Sequence, residues 1–307
     1  MIKTADEPIM DGFLNLNKPL GITSHDCVAQ VRRCLRLKRV GHGGTLDPLA
    51  TGVLPIALGR ATRLLDFLPK TKRYRATLRF GLQTTTDDLG GGILVQKTAE
   101  DLTLNQVQSV LPEFIGSIHQ TPPAFSAIHI QGQRAYDLAR RGEPVHLPER
   151  SVEIFEITVE DWRPGDFPEL TLLVHCGAGT YIRSLARDVG QKLSIPATLS
   201  ALTRMQSGGM VIENSMTLEQ LQDKIRAKTC PIQAPDHLLN HLPAVTLTLA
   251  QAQAWCQGQK QVWSAPPSPW WRVYDEQGRF LGIGQQIGAT ELKPHIVLVD
   301  PRRECYL

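Results

Sequence analysis

The chain has 307 residues, 42% of them hydrophobic and 21% charged, with a net charge of +3. That length is enough for two cores, and the composition is that of an ordinary soluble globular protein. The first fifteen residues lack the apolar run of a signal peptide and no stretch approaches the roughly 18 uninterrupted apolar residues of a membrane helix, so the expected location is the cytoplasm, away from any membrane.

Ser24 is placed to cap a helix over residues 24–37, in which Cys27, Val28, Val31, Cys34 and Leu35 recur at helical spacing. Residues 61–68 give a second, short helix that Pro69 ends. In residues 73–80, Tyr74, Ala76, Leu78 and Phe80 alternate with Arg73, Arg75, Thr77 and Arg79, the pattern of a half-buried strand with a basic outer face. Gly90-Gly91-Gly92 marks a turn before a strand at 93–96, and an amphipathic helix follows over 103–111. Strand patterns return at 152–160 and 170–176. Gly177 and Gly179 then lead into a helix whose apolar face is Ile182, Leu185, Ala186, Val189 and Leu193. Thr217 and Gln220 form a capping box for one more helix, up to about Ala227. Beyond it the composition changes: Trp255, Trp263, Trp270 and Trp271, four of the five Trp, fall among Pro-rich turns and short strand patterns. The expected organisation is an α+β catalytic domain over 12–230, a linker near 231–243 and a small β-rich domain over 244–307.

Several chemistries are excluded by their missing motifs. There is no GxxxxGK[ST] phosphate loop, and Gly282-Ile-Gly284-Gln-Gln-Ile-Gly288 misses the dinucleotide fingerprint by one residue and reads as a turn. His237 and His241 have zinc-helix spacing, but no Glu lies between them and Pro243 cuts the segment short. No serine or cysteine sits in a nucleophile elbow. The six cysteines, Cys27, Cys34, Cys176, Cys230, Cys256 and Cys305, form no CxxC pair and are expected to be reduced and structural.

Charge is unevenly spread. Eleven cations fall between Gln30 and Arg75 against two carboxylates, Asp47 and Asp66, a local balance of +9. A polyanion site and a solvated basic face both fit that count. Asp47 lies in the densest motif of the chain, Gly41–Ile56 (GHGGTLDPLATGVLPI), where Pro48 biases it toward an extended backbone and the glycines permit close approach. Such a segment is either an acid aimed at an anionic ligand or an Asp-Pro turn whose glycines serve the backbone alone.

This segment resembles the signature of the tRNA pseudouridine-55 synthase (TruB) family, whose central Asp is catalytic. Leu16–Ser24 (LNKPLGITS) resembles the family's N-terminal Lys-Pro motif, Lys72-Arg73-Tyr74 its uracil-stacking segment, and Gly179–Leu185 (GTYIRSL) its Tyr-Ile-Arg motif. Leu199–Arg204 resembles its Leu-containing turn. Pro123–Ala127, with Gly132, Tyr136, Ala139, Arg140 and Gly142, resembles the part that grips the RNA arm. Together these cover about residues 12–210. Two departures, Gly43 where Thr is common and Asn17 where Asp is common, bear on fine positioning.

The resemblance implies a mixed-sheet pseudouridine synthase catalytic domain with an RNA-gripping insertion at 121–150, and a PUA-like RNA-binding domain at the C-terminal end. It implies isomerisation of uridine 55 in the T-loop of tRNA by a monomer, with no cofactor, metal or guide RNA. The implied catalytic residues are Asp47 and Arg183. The implied substrate-binding residues are His42, Tyr74, Tyr181, Leu202 and Lys18: Tyr74 stacks on the extruded base, His42 fills or props the vacated position, Tyr181 packs on the pocket and Leu202 borders the uracil.

Overall fold

The computed structural model describes residues 10–299 apart from 127, 131–132, 142, 144–146 and 264–265. Ala127, Gly132, Gly142, Cys305 and the end of the C-terminal domain beyond 299 therefore lie outside the described residues, as does the side chain of Arg134.

In chain order the first part contains β1 (Gly12–Lys18), α1 (Ser24–Leu35), β2 (Val40–His42), β3 (Ala50–Leu58), a 3-10 segment (Gly59–Phe67), β4 (Lys72–Phe80) and the hairpin β5 (Leu82–Thr84)/β6 (Ile93–Gln96). There follow α2 (Leu104–Val110), β7 (Gly116–Gln120), the small hairpin β8 (His129–Ile130)/β9 (Gln133–Arg134) and α3 (Ala135–Arg140). Next come β10 (Arg150–Arg163), β11 (Glu169–Cys176), α4 (Ile182–Lys192), β12 (Ala197–Ser207), β13 (Met210–Val211) and α5 (Leu218–Arg226).

One mixed sheet organises these elements, in the order β1-β3-β12-β4-β11-β10-β7, with β2 added to β3 and β13 to β12. Among the described residues, the β3–β12 pair is the parallel one of this sheet. The alternation along β4 is as expected: Tyr74, Ala76, Leu78 and Phe80 are buried beside Leu170, Leu172 and Val174 of β11 and the apolar face of α4. A second core packs α1 and α5 against β1 and β3.

The helix starts follow local chemistry. Thr217 caps α5 in the expected box. For α1 the cap is Thr23, one residue before the expected Ser24: its hydroxyl takes the Asp26 N–H, and the Asp26 carboxylate returns a bond to the Thr23 N–H. Ser24 is thereby the first helical residue, with a buried hydroxyl free for another partner.

Beyond α5 the chain forms β14 (Ala244–Leu247), α6 (Leu249–Cys256), β15 (Gln261–Val262), β16 (Trp270–Asp275), β17 (Phe280–Ile287) and β18 (Glu291–Val297). The strands make a separate five-stranded sheet, β14-β16-β17-β18-β15, and α6 covers it with Trp255 fully buried. Two expectations change here. Gly282 and Gly284 lie inside β17, not in a turn; at Gly282 (φ +143°) a Cβ would fall 1.9 Å from the Ile296 carbonyl oxygen, so a bare backbone is needed to let β18 approach. The segment 231–243 is ordered structure and no loose linker. Gln233 and Phe13 exchange two backbone bonds of 2.9 Å. Leu238 and Leu239, in a 3-10 turn (His237–Leu239), join one core with Phe13, Val53 and Leu64 on one side and Ile283, Ile296 and Leu298 on the other. That turn also removes the helical face that His237 and His241 would have shared. Phe67 stacks edge-on against Trp270 at 5.1 Å, so the two sheets are joined by apolar packing.

Candidate active site

Asp47 lies in the loop between β2 and β3, and the loop is held from behind by four sources. The Ser24 hydroxyl accepts the Leu46 N–H at 2.8 Å and donates to the Leu46 carbonyl at 3.1 Å. The Gly21 N–H donates to the Pro48 carbonyl at 2.8 Å, and the Ala50 N–H to that of Asp47 at 3.0 Å. Arg204, on β12 and fully buried, donates from Nε to Val53 (2.7 Å), from Nη2 to Gly44 (3.0 Å) and from Nη1 to Thr45 (3.3 Å), all backbone carbonyls. Burial lowers the pKa of Arg204, and the Tyr74 hydroxyl facing it opposes that shift. Close approach of β12 depends on Gly52 (φ +101°), where a Cβ would lie 2.3 Å from the Arg204 carbonyl oxygen.

Arg183 enters from the first turn of α4 and is buried. Its Nε lies 3.0 Å from Asp47 Oδ2. Nη1 donates to the Thr86 carbonyl at 3.1 Å and lies 3.7 Å from Asp88 Oδ2, while Nη2 donates to the Phe125 carbonyl at 3.0 Å. Asp88 is itself buried, accepting the Thr86 hydroxyl at 2.6 Å and the Gly90 N–H at 2.9 Å. One guanidinium thus serves two carboxylates. Burial pushes the Asp47 carboxyl above the usual range; Arg183 opposes this, and the Asp88 charge adds to it.

The Asp47 side chain is 40% exposed and lines a cavity of about 320 Å³. Arg183, Tyr74, Tyr181 and Leu202 line the same cavity, with Lys72 and Phe125. Five of the seven expected residues, distant in sequence, are therefore brought together. Tyr74 belongs both to the core and to the cavity wall, and burial raises its hydroxyl pKa. Tyr181 starts α4; its N–H donates to Gln120 Oε1 at 3.0 Å and its carbonyl accepts from Gln120 Nε2 at 3.3 Å. Leu202 lies on β12 opposite Ala50 and Ala76.

The other two residues are placed differently. His42 lines an adjoining cavity of about 250 Å³. Its Nδ1 accepts the Gly44 N–H at 3.3 Å, and His25 meets its ring edge-on at 5.3 Å. Burial, with His25 and Arg204, lowers its pKa, so the ring is neutral at neutral pH. Lys18 is fully buried and lines neither cavity. Its ammonium donates to the Pro19 and Ile22 carbonyls at 2.8 and 2.7 Å, closing the turn that carries Gly21 to Pro48.

Sequence reasoning gave no role in the site to Asp88, Arg204, Ser24 or Gln120. Asp88 had one weak signal, an acidic pair just before the glycine turn. The basic stretch is less available than its charge count suggests. Arg60 is paired with Asp11, Arg75 with Glu160 (2.6 Å), and Arg63 donates to the Val297 carbonyl of the C-terminal sheet (2.8 Å). In the 121–150 segment, Arg141 pairs with Glu143 (2.6 Å) and Arg140 lies over the Tyr136 ring at 4.4 Å.

Comparison with known proteins places these features in a family. Residues 32–182 match the model of the TruB family pseudouridylate synthase N-terminal domain, and residues 243–298 that of the pseudouridine synthase II TruB C-terminal domain. The chain is 53% identical over 289 residues to the tRNA pseudouridine synthase B of Nostoc sp., covering 94% of this chain and 98% of that one. It is equally similar to the protein of the same name from Acaryochloris marina, at 53% over 289 residues, 94% of this chain and 99% of that one. Among solved structures, a chain of a Cbf5-Nop10-Gar1 complex superposes with a TM-score of 0.73 at 25% identity, over 97% of this chain and 88% of that one.

Proposed function

The chain belongs to the TruB family of pseudouridylate synthases, and we propose that it converts the uridine at position 55 in the T-loop of tRNA to pseudouridine, with Asp47 as the nucleophile. It is an isomerase acting on tRNA. In the proposed reaction the bond from N1 to the ribose breaks, the base turns within the cavity, and C5 bonds to the same ribose carbon. The C5 proton is lost and N1 gains one, so the formula is unchanged and the reading needs no cofactor.

The observation that carries this reading is the Asp47–Arg183 contact of 3.0 Å at the wall of the cavity that Tyr74 and Leu202 also line. An ionised carboxylate is required to act as nucleophile or base. Arg183 favours that ionisation. Extruding a uridine from a folded loop costs a few kcal/mol, and stacking on Tyr74 returns about 1–3 kcal/mol. Tyr181 packs on the pocket, and His42, neutral in the adjoining cavity, props the position that the base leaves. We assign Lys18 to holding the turn behind the Asp47 loop. The 121–150 segment and the unpaired cations of the 30–75 stretch grip the T-stem.

The enzyme is proposed to act as a monomer without a guide RNA. Purified chain alone, given an unmodified tRNA transcript, is expected to form pseudouridine at that one position. A requirement for added protein or guide RNA would overturn the stand-alone reading, and modification elsewhere in the tRNA the choice of position.

A further inference from the structure

Lys72, at the start of β4, lines both cavities: the one that holds Asp47 and Tyr74, and the adjoining one edged by His42, Gly43, Gly44 and Lys70. Its ammonium has neither a hydrogen bond nor an ion pair among the described residues. The neighbouring charge that bears on it most is another cation, Arg204, and burial and Arg204 together lower its pKa. The two cations converge on the loop backbone at Gly44, where a Cβ would sit 3.7 Å from Arg204 Nη1 and 3.9 Å from Lys72 Nζ. A half-buried ammonium beside a second cation, without a counter-charge, is a site for an anion.

The ligand follows from the covalent structure of RNA. Consecutive nucleosides are joined by a single phosphodiester, so a strand with one nucleoside in each cavity lays that linkage across the wall between them. We propose that Lys72 binds the phosphodiester joining the target nucleotide to its neighbour, with the neighbouring nucleoside seated beside His42. This deepens the proposed activity and rests on it. It makes Lys72 a positioning residue that sets how far the target ribose reaches toward Asp47.

The test uses the full chain and a hairpin reproducing the T-arm. Binding is titrated with wild type, Lys72→Met and Lys72→Arg, against an all-phosphate hairpin and two others in which one methylphosphonate replaces the linkage on the 5′ or the 3′ side of the target uridine. In the wild type, one of the two neutral linkages is expected to weaken binding about tenfold, as for loss of a charge-assisted contact. Lys72→Met should bind the native hairpin about tenfold more weakly and be indifferent to that same replacement, with a salt slope shallower by roughly 0.7–0.9. Lys72→Arg should recover the sensitivity. Losses that multiply, or a wild type insensitive to both replacements, would overturn the proposal; where Lys72→Met is poorly folded, Lys72→Gln is read in its place by the same criterion. Turnover of the native hairpin is followed in parallel. A hairpin that binds with this pattern and is not isomerised refutes the activity and keeps the phosphate site; one that is isomerised without the pattern refutes the site alone.

Discussion

The α4 side and the β12 side of the Asp47 loop each carry one buried guanidinium, and the two are solvated in opposite ways. Arg183 meets two carboxylates, Asp47 at 3.0 Å and Asp88 at 3.7 Å, as well as two carbonyls. Arg204 meets backbone carbonyls of the loop and β3, and the Tyr74 hydroxyl. A cation among carboxylates shifts their proton affinity, because its field acts differently on the charged and neutral forms. Arg204 bears on the titration of His42, Lys72 and Tyr74 but not on that of Asp47; for the Asp47 loop it fixes where the carbonyls sit. The α4 side therefore bears on the charge of Asp47, the proposed nucleophile, and the β12 side on its position.

The sharpest way to break this division is to remove the group between the two sides. Asp47→Asn is expected to lower single-turnover pseudouridine formation by about 10⁴-fold or more, the upper range for one acid–base group, while tRNA affinity by filter binding stays within a few-fold. Substantial turnover would leave Arg183 with no reacting partner to tune.

Arg183→Met comes next. It removes the guanidinium shared by Asp47 and Asp88, which is expected to cost stability in chemical denaturation, by less than the about 3–5 kcal/mol of a fully buried pair because Asp47 is partly exposed. The rate constant at neutral pH is expected to fall about 10²–10³-fold. The sign of the pH effect is fixed by Arg183 holding the Asp47 pKa down. In the wild type the acid limb of the rate is expected above the ordinary carboxylate value of about 3.9, and in this variant at still higher pH. An unmoved limb would mean that Arg183 does not act through Asp47.

On the β12 side, Arg204→Met is expected to destabilise the fold by about 3 kcal/mol, since three carbonyls lose charge-assisted donors, and to slow turnover about tenfold through displacement of the loop. Its acid limb should coincide with that of the wild type. A shifted limb would show that both guanidiniums tune the acid. The smallest effect is expected of Asp88→Asn. The Asp88 charge raises the Asp47 pKa, so its loss should carry the limb to lower pH while the plateau rate changes by no more than about threefold. A shift to higher pH would indicate that Asp88 acts chiefly by orienting Arg183.

Much of this site was legible because short segments carry it. The loop around Asp47 is one contiguous run of glycines, a proline and a lone acid, and its neighbours Pro48 and Gly52 constrain the backbone locally. The alternation through Tyr74, Ala76 and Leu78 placed Tyr74 on the buried face, and the same face proves to line the cavity. Ser24 shows where local reading stops. A hydroxyl before a helical run is a good cap by propensity, but Thr23 takes the cap with Asp26, and the Ser24 hydroxyl bonds to Leu46, 22 residues away.

The sequence by itself determined most of the elements, the family and the loop that carries Asp47, because hydrophobic period, caps and motif chemistry act over a few residues. Only the tertiary structure decided which charges are neighbours. Asp88 and Arg183 are 95 positions apart, and Arg204 reaches Gly44 across 160. Lys18 has a motif suited to ligand contact but is turned into the turn beside it. Arg60, Arg63 and Arg75 count as free cations in the sequence, yet they are engaged by Asp11, Val297 and Glu160. The C-terminal sheet looked separable by composition and is bound through Leu238, Leu239 and the Phe67–Trp270 stack. In each case the reason is the same: burial and electrostatic interaction depend on distance in space, and a pattern read along the chain holds no measure of that distance.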